Sequence, residues 1–262
     1  MTEAQQSFQR LARIVEELRE QCPWDRKQTK ESLRHLTIEE TFELADAILK
    51  NDYAELQTEL GDLLLHILFY TSLATQKGKF TLHDMIDAQI NKLVRRHPHV
   101  YGDLKGASEA EINANWEKIK AAEKALLGKQ NPSVLDGVPD SMPSLVKAQR
   151  MQEKAASQGF DWEKKEDVWK KFEEELAEFQ SAETEEEKAA EMGDMLFSLV
   201  NYCRFEGINA EDALARTNVK FKRRFQAVET TANEQGKSLP EMSLQEMDQL
   251  WDAAKAEETD PH

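Results

Sequence analysis

The stretch Glu39-Glu40-Thr41-Phe42-Glu43, with Glu59-Leu60-Gly61-Asp62 behind it, recurs as Glu174-Glu175-Leu176-Ala177-Glu178 with Glu191-Met192-Gly193-Asp194 behind it. Carboxylates three residues apart share one face of a helix. Two such pairs on facing helices make an all-oxygen cage of the kind that suits hard divalent cations. Like charges gathered this way repel, so a positive partner is expected among them.

Reading outward, each acidic motif has the same companions. Lys92-Leu93-Val94-Arg95-Arg96 follows the first and Lys220-Phe221-Lys222-Arg223-Arg224 the second. Trp116 with Lys120 comes after the first basic cluster, and Trp251 with Lys255 after the second. Pro23-Trp24-Asp25 and Phe160-Asp161-Trp162 stand ahead of the two acidic motifs. An order of aromatic, acidic pair, acidic pair, basic cluster and tryptophan that runs twice indicates a duplicated domain.

The elements between these landmarks read as helices. Phe8, Leu11, Ile14, Val15 and Leu18 recur at helical spacing, as do Leu60, Leu63, Leu64, Ile67 and Leu68, and runs alternating with period two are absent. A helix over Leu82 to Arg96 ends at His97-Pro98-His99, because Pro98 cannot continue it. Ser108 and Glu111 have capping-box spacing ahead of a helix through Trp116, and Thr37 stands in the same relation to Glu40. In the second half, helices are expected near Leu145 to Ser157, Val168 to Ala182, Lys188 to Phe205, Ala210 to Gln235 and Leu244 to Glu257. Helix breakers cluster from Gly128 to Pro143. The expected fold is therefore all-α, two tandem bundles of four to five helices each, over 1–128 and 144–262 with a linker at 129–143.

Composition fits this class and excludes others. The chain has 262 residues, 10 Gly and 7 Pro, and a net charge of −16, which argues against a general nucleic-acid binder. The charge is uneven: residues 1–130 carry 18 Lys+Arg against 21 Asp+Glu, and 131–262 carry 16 against 29. Most of that excess reads as a solvated helix face. Cys22 and Cys203 belong to no CxxC pattern and fit reduced thiols of a cytoplasmic protein. No signal-peptide or membrane-spanning stretch is evident.

Carboxylate oxygens without cysteine or paired histidines select Mg²⁺ or Mn²⁺ over zinc, and such ions serve phosphate chemistry. The basic clusters would grip an anionic tail, and Trp116 and Trp251 suit either core packing or contact with a base. Gly61 and Gly193, each mid-helix at a cost of about 1 kcal/mol, predict close approach by another helix or a ligand. Gly236-Lys237-Ser238 resembles the end of a P-loop, but Thr231 stands where the first glycine belongs. None of the histidines follows a glutamate at the spacing of a di-iron bundle, and His66 reads as a core-edge residue.

The acidic pattern, the Lys-x-x-Arg-Arg cluster and their doubling resemble the MazG family of nucleoside triphosphate pyrophosphohydrolases over nearly the whole chain. Cys22-Pro23-Trp24-Asp25, Arg95-Arg96-His97-Pro98-His99-Val100 and Gly159-Phe160-Asp161-Trp162 extend the likeness. The resemblance implies an all-α homodimer that uses Mg²⁺, with Mn²⁺ as a substitute, to hydrolyse NTPs and dNTPs of broad specificity to monophosphate and pyrophosphate. It implies Glu175, Glu178, Glu191 and Asp194 as metal ligands, with Glu40, Glu43, Glu59 and Asp62 as a second such site. Lys171, Lys220, Arg223, Arg224 and Trp251 would contact the nucleotide. Glu174 and Glu175 would carry catalysis, Glu174 (or Glu39 in the first copy) orienting or deprotonating the attacking water.

Family proteins of this form are thought to rely on the second domain. The first copy retains every acidic position but departs around them. The gap from Glu43 to Glu59 is three residues longer than that from Glu178 to Glu191, and His97-Pro98-His99 replaces Phe225-Gln226-Ala227. The competing reading is a non-enzymatic dimeric regulator that binds a basic protein partner and has merely structural metal sites.

Overall fold

A computed structural model describes residues 1–102, 106, 108, 111, 112, 115, 116, 119, 123 and 133–257. The described residues contain no strand, and the chain divides into two compact units, Met1–Gln130 and Asn131–His262. No described helix is long and apolar enough to cross a membrane.

The first unit is built from α1 (Glu3–Gln21), α2 (Lys30–Lys50), α3 (Tyr53–Gln76), α4 (Leu82–Arg96) and the short α5 (Pro98–Tyr101). A capping box of Thr2 with Gln5 starts α1, and Val15 on its apolar stripe is buried. Arg19 is buried too. Its guanidinium donates to the carbonyls of Asp25 and Gln28 and to the Gln76 side chain, so a turn and the end of α3 are fastened to α1 through one cation. Val15, Leu33, Leu68, Phe69 and Leu73 form the core over which α1, α2 and α3 pack.

The α2–α3 hairpin positions the first acidic motif. Asn51 ends α2 in the left-handed conformation at φ 55°, which asparagine tolerates, and Asp52 caps α3 by accepting from the Ala54 and Glu55 amides. Only two residues separate the helices, so they run antiparallel and the motif's two halves face each other. The alternative reading of Thr37 as a cap for Glu40 does not hold. The helix begins earlier, at the capping box of Thr29 and Ser32, which leaves Thr37 in mid-helix bonded to the Leu33 carbonyl and the Tyr70 hydroxyl. Pro98 does end α4, and it then opens α5, where a missing N–H costs nothing. Ser108 and Glu111 form their box. The rest of the helix expected through Trp116 to Leu127 lies largely outside the described residues.

The second unit contains α6 (Ser144–Ala156), α7 (Lys165–Ser181), α8 (Glu185–Phe205), α9 (Ala210–Glu234) and α10 (Leu244–Glu257). Val168, Val200, Ala210, Val228, Ala232 and Met242 are its buried apolar residues. Thr184 and Glu187 box the start of α8, so α7 and α8 form the equivalent hairpin. Gly236, at φ +69°, follows α9 in an ordinary helix-ending turn, which disposes of the P-loop resemblance.

Helix ends account for the unequal gaps. After Glu43, α2 continues seven residues to Lys50, whereas after Glu178 α7 continues only three to Ser181. The added four residues are about one helical turn. Three residues rather than two then join the second pair, leaving the net difference of three. One turn preserves helical phase, so this insertion does not reshape the cluster it flanks.

Leu33→Ala empties a position that is 1% exposed, and should destabilise the chain by about 3 kcal/mol in urea titrations followed by circular dichroism. Tyr53→Ala, at a position 73% exposed, should stay within about 0.5 kcal/mol.

Candidate active site

On the second hairpin, Glu175 and Glu178 of α7 meet Glu191 of α8, with one oxygen from each within 4.8 Å of the others. Glu175 is buried, Glu191 half-buried and Glu178 exposed. Glu175 can be buried because Lys171, one turn earlier, places its ammonium 2.6 Å from it and 2.9 Å from Glu174. These two bonds hold the Lys171 pKa above its ordinary value. Glu191 has no such help. Its Oε2 is buried without a hydrogen-bond partner, and burial, followed by the charges of Glu178, Glu175 and Asp194, raises its pKa. Asp194 is exposed and outside the triad, within reach of its field.

On the first hairpin, Glu40 and Glu43 of α2 meet Glu59 of α3 within the same 4.8 Å. Here Glu59 is the buried member, and its Oε2 likewise lacks a partner. Leu36 occupies the place that Lys171 holds in the other unit, so no lysine neutralises Glu40. Burial, a hydrogen bond with Glu40 and the Glu43 charge raise Glu59 to about 7. Glu40 is raised as well, chiefly by burial. Asp62 stands outside the triad, as Asp194 does, and His66 is buried with its pKa lowered, first by burial.

Among the described residues, no other part of the chain approaches either hairpin glycine. A Cβ built on Gly61 or Gly193 meets nothing within 4 Å. The expected close helix approach is therefore absent, and the motif face stays open because each glycine lies on the exposed side of its helix.

The basic clusters sit in different company. Lys220 and Arg223 are exposed, while Arg224 is half-buried with its guanidinium 5.8 Å from the centre of the Trp251 ring. Phe221 packs 5.1 Å from Trp251, and both line an apolar cavity of about 410 Å³ with Phe225, Leu244 and Met247. In the first unit, Arg95 and Arg96 both grip Glu123, which sequence reasoning did not single out. Its spacing was a usable signal, since Glu123 stands seven residues after Trp116 and Glu258 seven after Trp251. Trp116 packs edge-on against His97 at 5.1 Å, so the histidine that replaces Phe225 after the arginines supports this tryptophan. Glu174 and Glu39 are exposed beside their triads.

Both triads fit a divalent cation on the same ground. Each holds one buried carboxylate oxygen that no described residue satisfies, in a donor set made only of oxygens. Fold and site together define an all-α protein with a carboxylate triad on one helix hairpin in each of two units.

The MazG nucleotide pyrophosphohydrolase domain matches residues 28–101, a span that includes Glu40, Glu43, Glu59 and Asp62. A nucleoside triphosphate pyrophosphohydrolase/pyrophosphatase MazG of Thermotoga maritima is 42% identical over 257 residues, covering 97% of this chain and 98% of that protein. A nucleoside triphosphate pyrophosphohydrolase of Escherichia coli K12 is 39% identical over 259 residues, covering 96% and 98%. Bacillus subtilis YabN, an uncharacterized protein, is 47% identical over 257 residues that make up 52% of its own length. The chain belongs to the MazG family.

The Glu59 shift carries a pH signature. Raised from 4.5 to about 7, this carboxyl keeps a proton in the folded chain that the unfolded chain releases, so its contribution to stability is lost as pH rises between those values. In EDTA, the melting temperature of Glu59→Gln should therefore fall less between about pH 5 and pH 7.5 than that of the unsubstituted chain. Differential scanning calorimetry of the two proteins checks this.

Proposed function

We propose that the chain hydrolyses nucleoside and deoxynucleoside triphosphates of broad base specificity to monophosphate and pyrophosphate, chiefly at the second unit's site and with Mg²⁺ or Mn²⁺ as cofactor. The observation that carries this reading is the triad of Glu175, Glu178 and Glu191 with its unsatisfied Glu191 oxygen, in a chain related over almost its full length to proteins named for this reaction.

Glu175, Glu178 and Glu191 would hold the cation, with Asp194 turning in as a further ligand. Once bound, the ion supplies positive charge at the phosphate oxygens and acidifies the attacking water. Without the ion, Lys171 neutralises Glu175. With a cation in that role, the Lys171 ammonium would be free to turn from Glu175 to the triphosphate. Lys220, Arg223 and Arg224 grip the β- and γ-phosphates by charge-assisted hydrogen bonds. The base lies against Trp251 and Phe221, whose apolar cleft offers stacking without a dense set of base-reading donors, in keeping with broad specificity.

Water attacks the α-phosphorus in line, its proton passing to Glu174, which is exposed at the triad's edge. The bond from the α-phosphorus to the bridging oxygen breaks, and pyrophosphate leaves against the basic cluster. Leu60 and Ile67 on α3, and Met192, Leu196 and Leu199 on α8, form exposed apolar stripes beside the triads. These support a homodimer. Such a partner would cover the faces that Gly61 and Gly193 leave open.

With Mg²⁺, the purified chain should release equimolar monophosphate and pyrophosphate from an NTP and dNTP panel, read by anion-exchange chromatography. Glu175→Gln should lower kcat/KM by about 100-fold or more, and Glu40→Gln by less than about threefold. Equal losses would overturn the choice of the second unit, and orthophosphate as the sole phosphate product would overturn the reaction.

A further inference from the structure

The first unit has a cleft away from its triad. It lies between α1, the second half of α3 and the start of α4, and its volume of about 420 Å³ is that of a small-molecule site. Thr71 on its α3 wall stands twelve residues beyond Glu59, about 18 Å along the helix. The cleft is therefore separate from the carboxylates of the triad.

Its lining is weighted toward acceptors and negative charge. Glu16 and Glu20, one turn apart on α1, are exposed at the rim, and neither has an ion pair among the described residues. Thr71 and Thr75 have already given their hydroxyl protons, Thr71 to the Leu68 carbonyl at 2.9 Å and Thr75 to the Thr71 and Phe80 carbonyls at 2.9 and 3.1 Å. What those hydroxyls still offer is lone pairs. Val15 and Leu68, both buried, supply an apolar floor. No lysine or arginine lines the cleft, and its one histidine, His83, lies 3.5 Å from Asp87 on its own helix. Carboxylates and lone pairs around an apolar floor fit an ammonium on an alkyl stem.

The repeat carries a cation at the matching register. Counting from Glu59 along α3 and from Glu191 along α8, Ser72, which lines the cleft, corresponds to Arg204. The Arg204 guanidinium reaches both oxygens of Asp161, at 3.0 and 2.5 Å, and its Nε donates to Asn201 at 3.0 Å. The second unit thus brings its own cation to this register, whereas the first has a small hydroxyl beside an open, acidic cleft. We propose that this cleft binds a linear aliphatic polyamine from solution, with its ammonium groups on Glu16, Glu20 and the threonine hydroxyls and its methylenes along Val15 and Leu68. Acceptors on both walls, α1 and α3, favour a ligand with more than one ammonium over a single lysine side chain. The cleft shares no residue with the triads, so its ligand is independent of the reaction proposed for them.

Calorimetric titration of the full chain with spermidine tests this, without nucleotide or metal and in about 0.15 M NaCl to screen diffuse attraction to the net charge of −16. One-to-one binding should weaken by about tenfold or more in Glu16→Gln and in Glu20→Gln. It should be unchanged in Glu17→Gln, an equal loss of charge on α1 outside the cleft. Ser72→Arg, which gives the first unit the cation that the second carries, should abolish it. Should Ser72→Arg lose helical circular dichroism, the variants at the exposed Glu16 and Glu20 decide alone. Absence of binding overturns the proposal, and so does equal weakening by Glu17→Gln, which would mark diffuse attraction to an acidic chain. Nα-acetyl-lysine methylamide, with one ammonium, should bind about tenfold or more weakly than spermidine. If it binds as tightly, the cleft takes a lysine side chain of a protein and the free polyamine is ruled out.

Discussion

Three carboxylates held within 4.8 Å of one another on two antiparallel helices are the constraint to which the rest of each unit responds. Such groups cannot all keep their charge near neutral pH without a compensating partner. The units answer differently. In the second, Lys171 sits one turn from Glu175 and pairs with that buried carboxylate. In the first, Leu36 stands at the same place, and the buried member, Glu59, keeps a proton instead. A triad with its own lysine is poised to exchange one cation for another, whereas a triad with a proton must first give that proton up. This difference in the neutralising partner, rather than in the ligands, which are the same residue types in both, is what distinguishes the two triads.

The basic clusters extend the contrast. Arg95 and Arg96 spend their forks on Glu123, while Arg224 lies over Trp251 beside an apolar cleft large enough for a base. His97, replacing Phe225, packs edge-on to Trp116 and turns the first unit's tryptophan toward a polar neighbour. Each substitution is small.

Much of this was legible in the sequence, and where it was not the reason is physical. The helices, the hairpin pairing and the all-α class followed from apolar spacing and from the scarcity of breakers, because those signals act locally. The triads were legible because carboxylates three apart must share a helix face. The capping alternative at Thr37 could not be excluded from sequence, since a capping pattern does not reveal that a helix has already begun at Thr29. For Gly61 and Gly193 the sequence left open whether a helix or a ligand approaches, and no described helix of the chain does. The role of Glu123 depends on a contact spanning 27 residues or more, and its only sequence signal is the spacing of seven after Trp116 that Glu258 repeats after Trp251.

The open glycine face and the extra turn of α2 bear on one question, what a duplication can change while keeping its chemistry. Inserting one full turn after Glu43 leaves every upstream side chain in phase, so the triad survives intact. An insertion of two residues would have rotated Glu59 by more than half a turn relative to Glu43 if absorbed within the helix, and broken the cluster. Changes that respect helical phase are therefore invisible to the ligand set and act on its surroundings. The residues free to diverge are then those one layer out, Leu36 against Lys171 and His97 against Phe225. This layer sets charge and access rather than ligation, so two copies with the same ligands can differ through it alone.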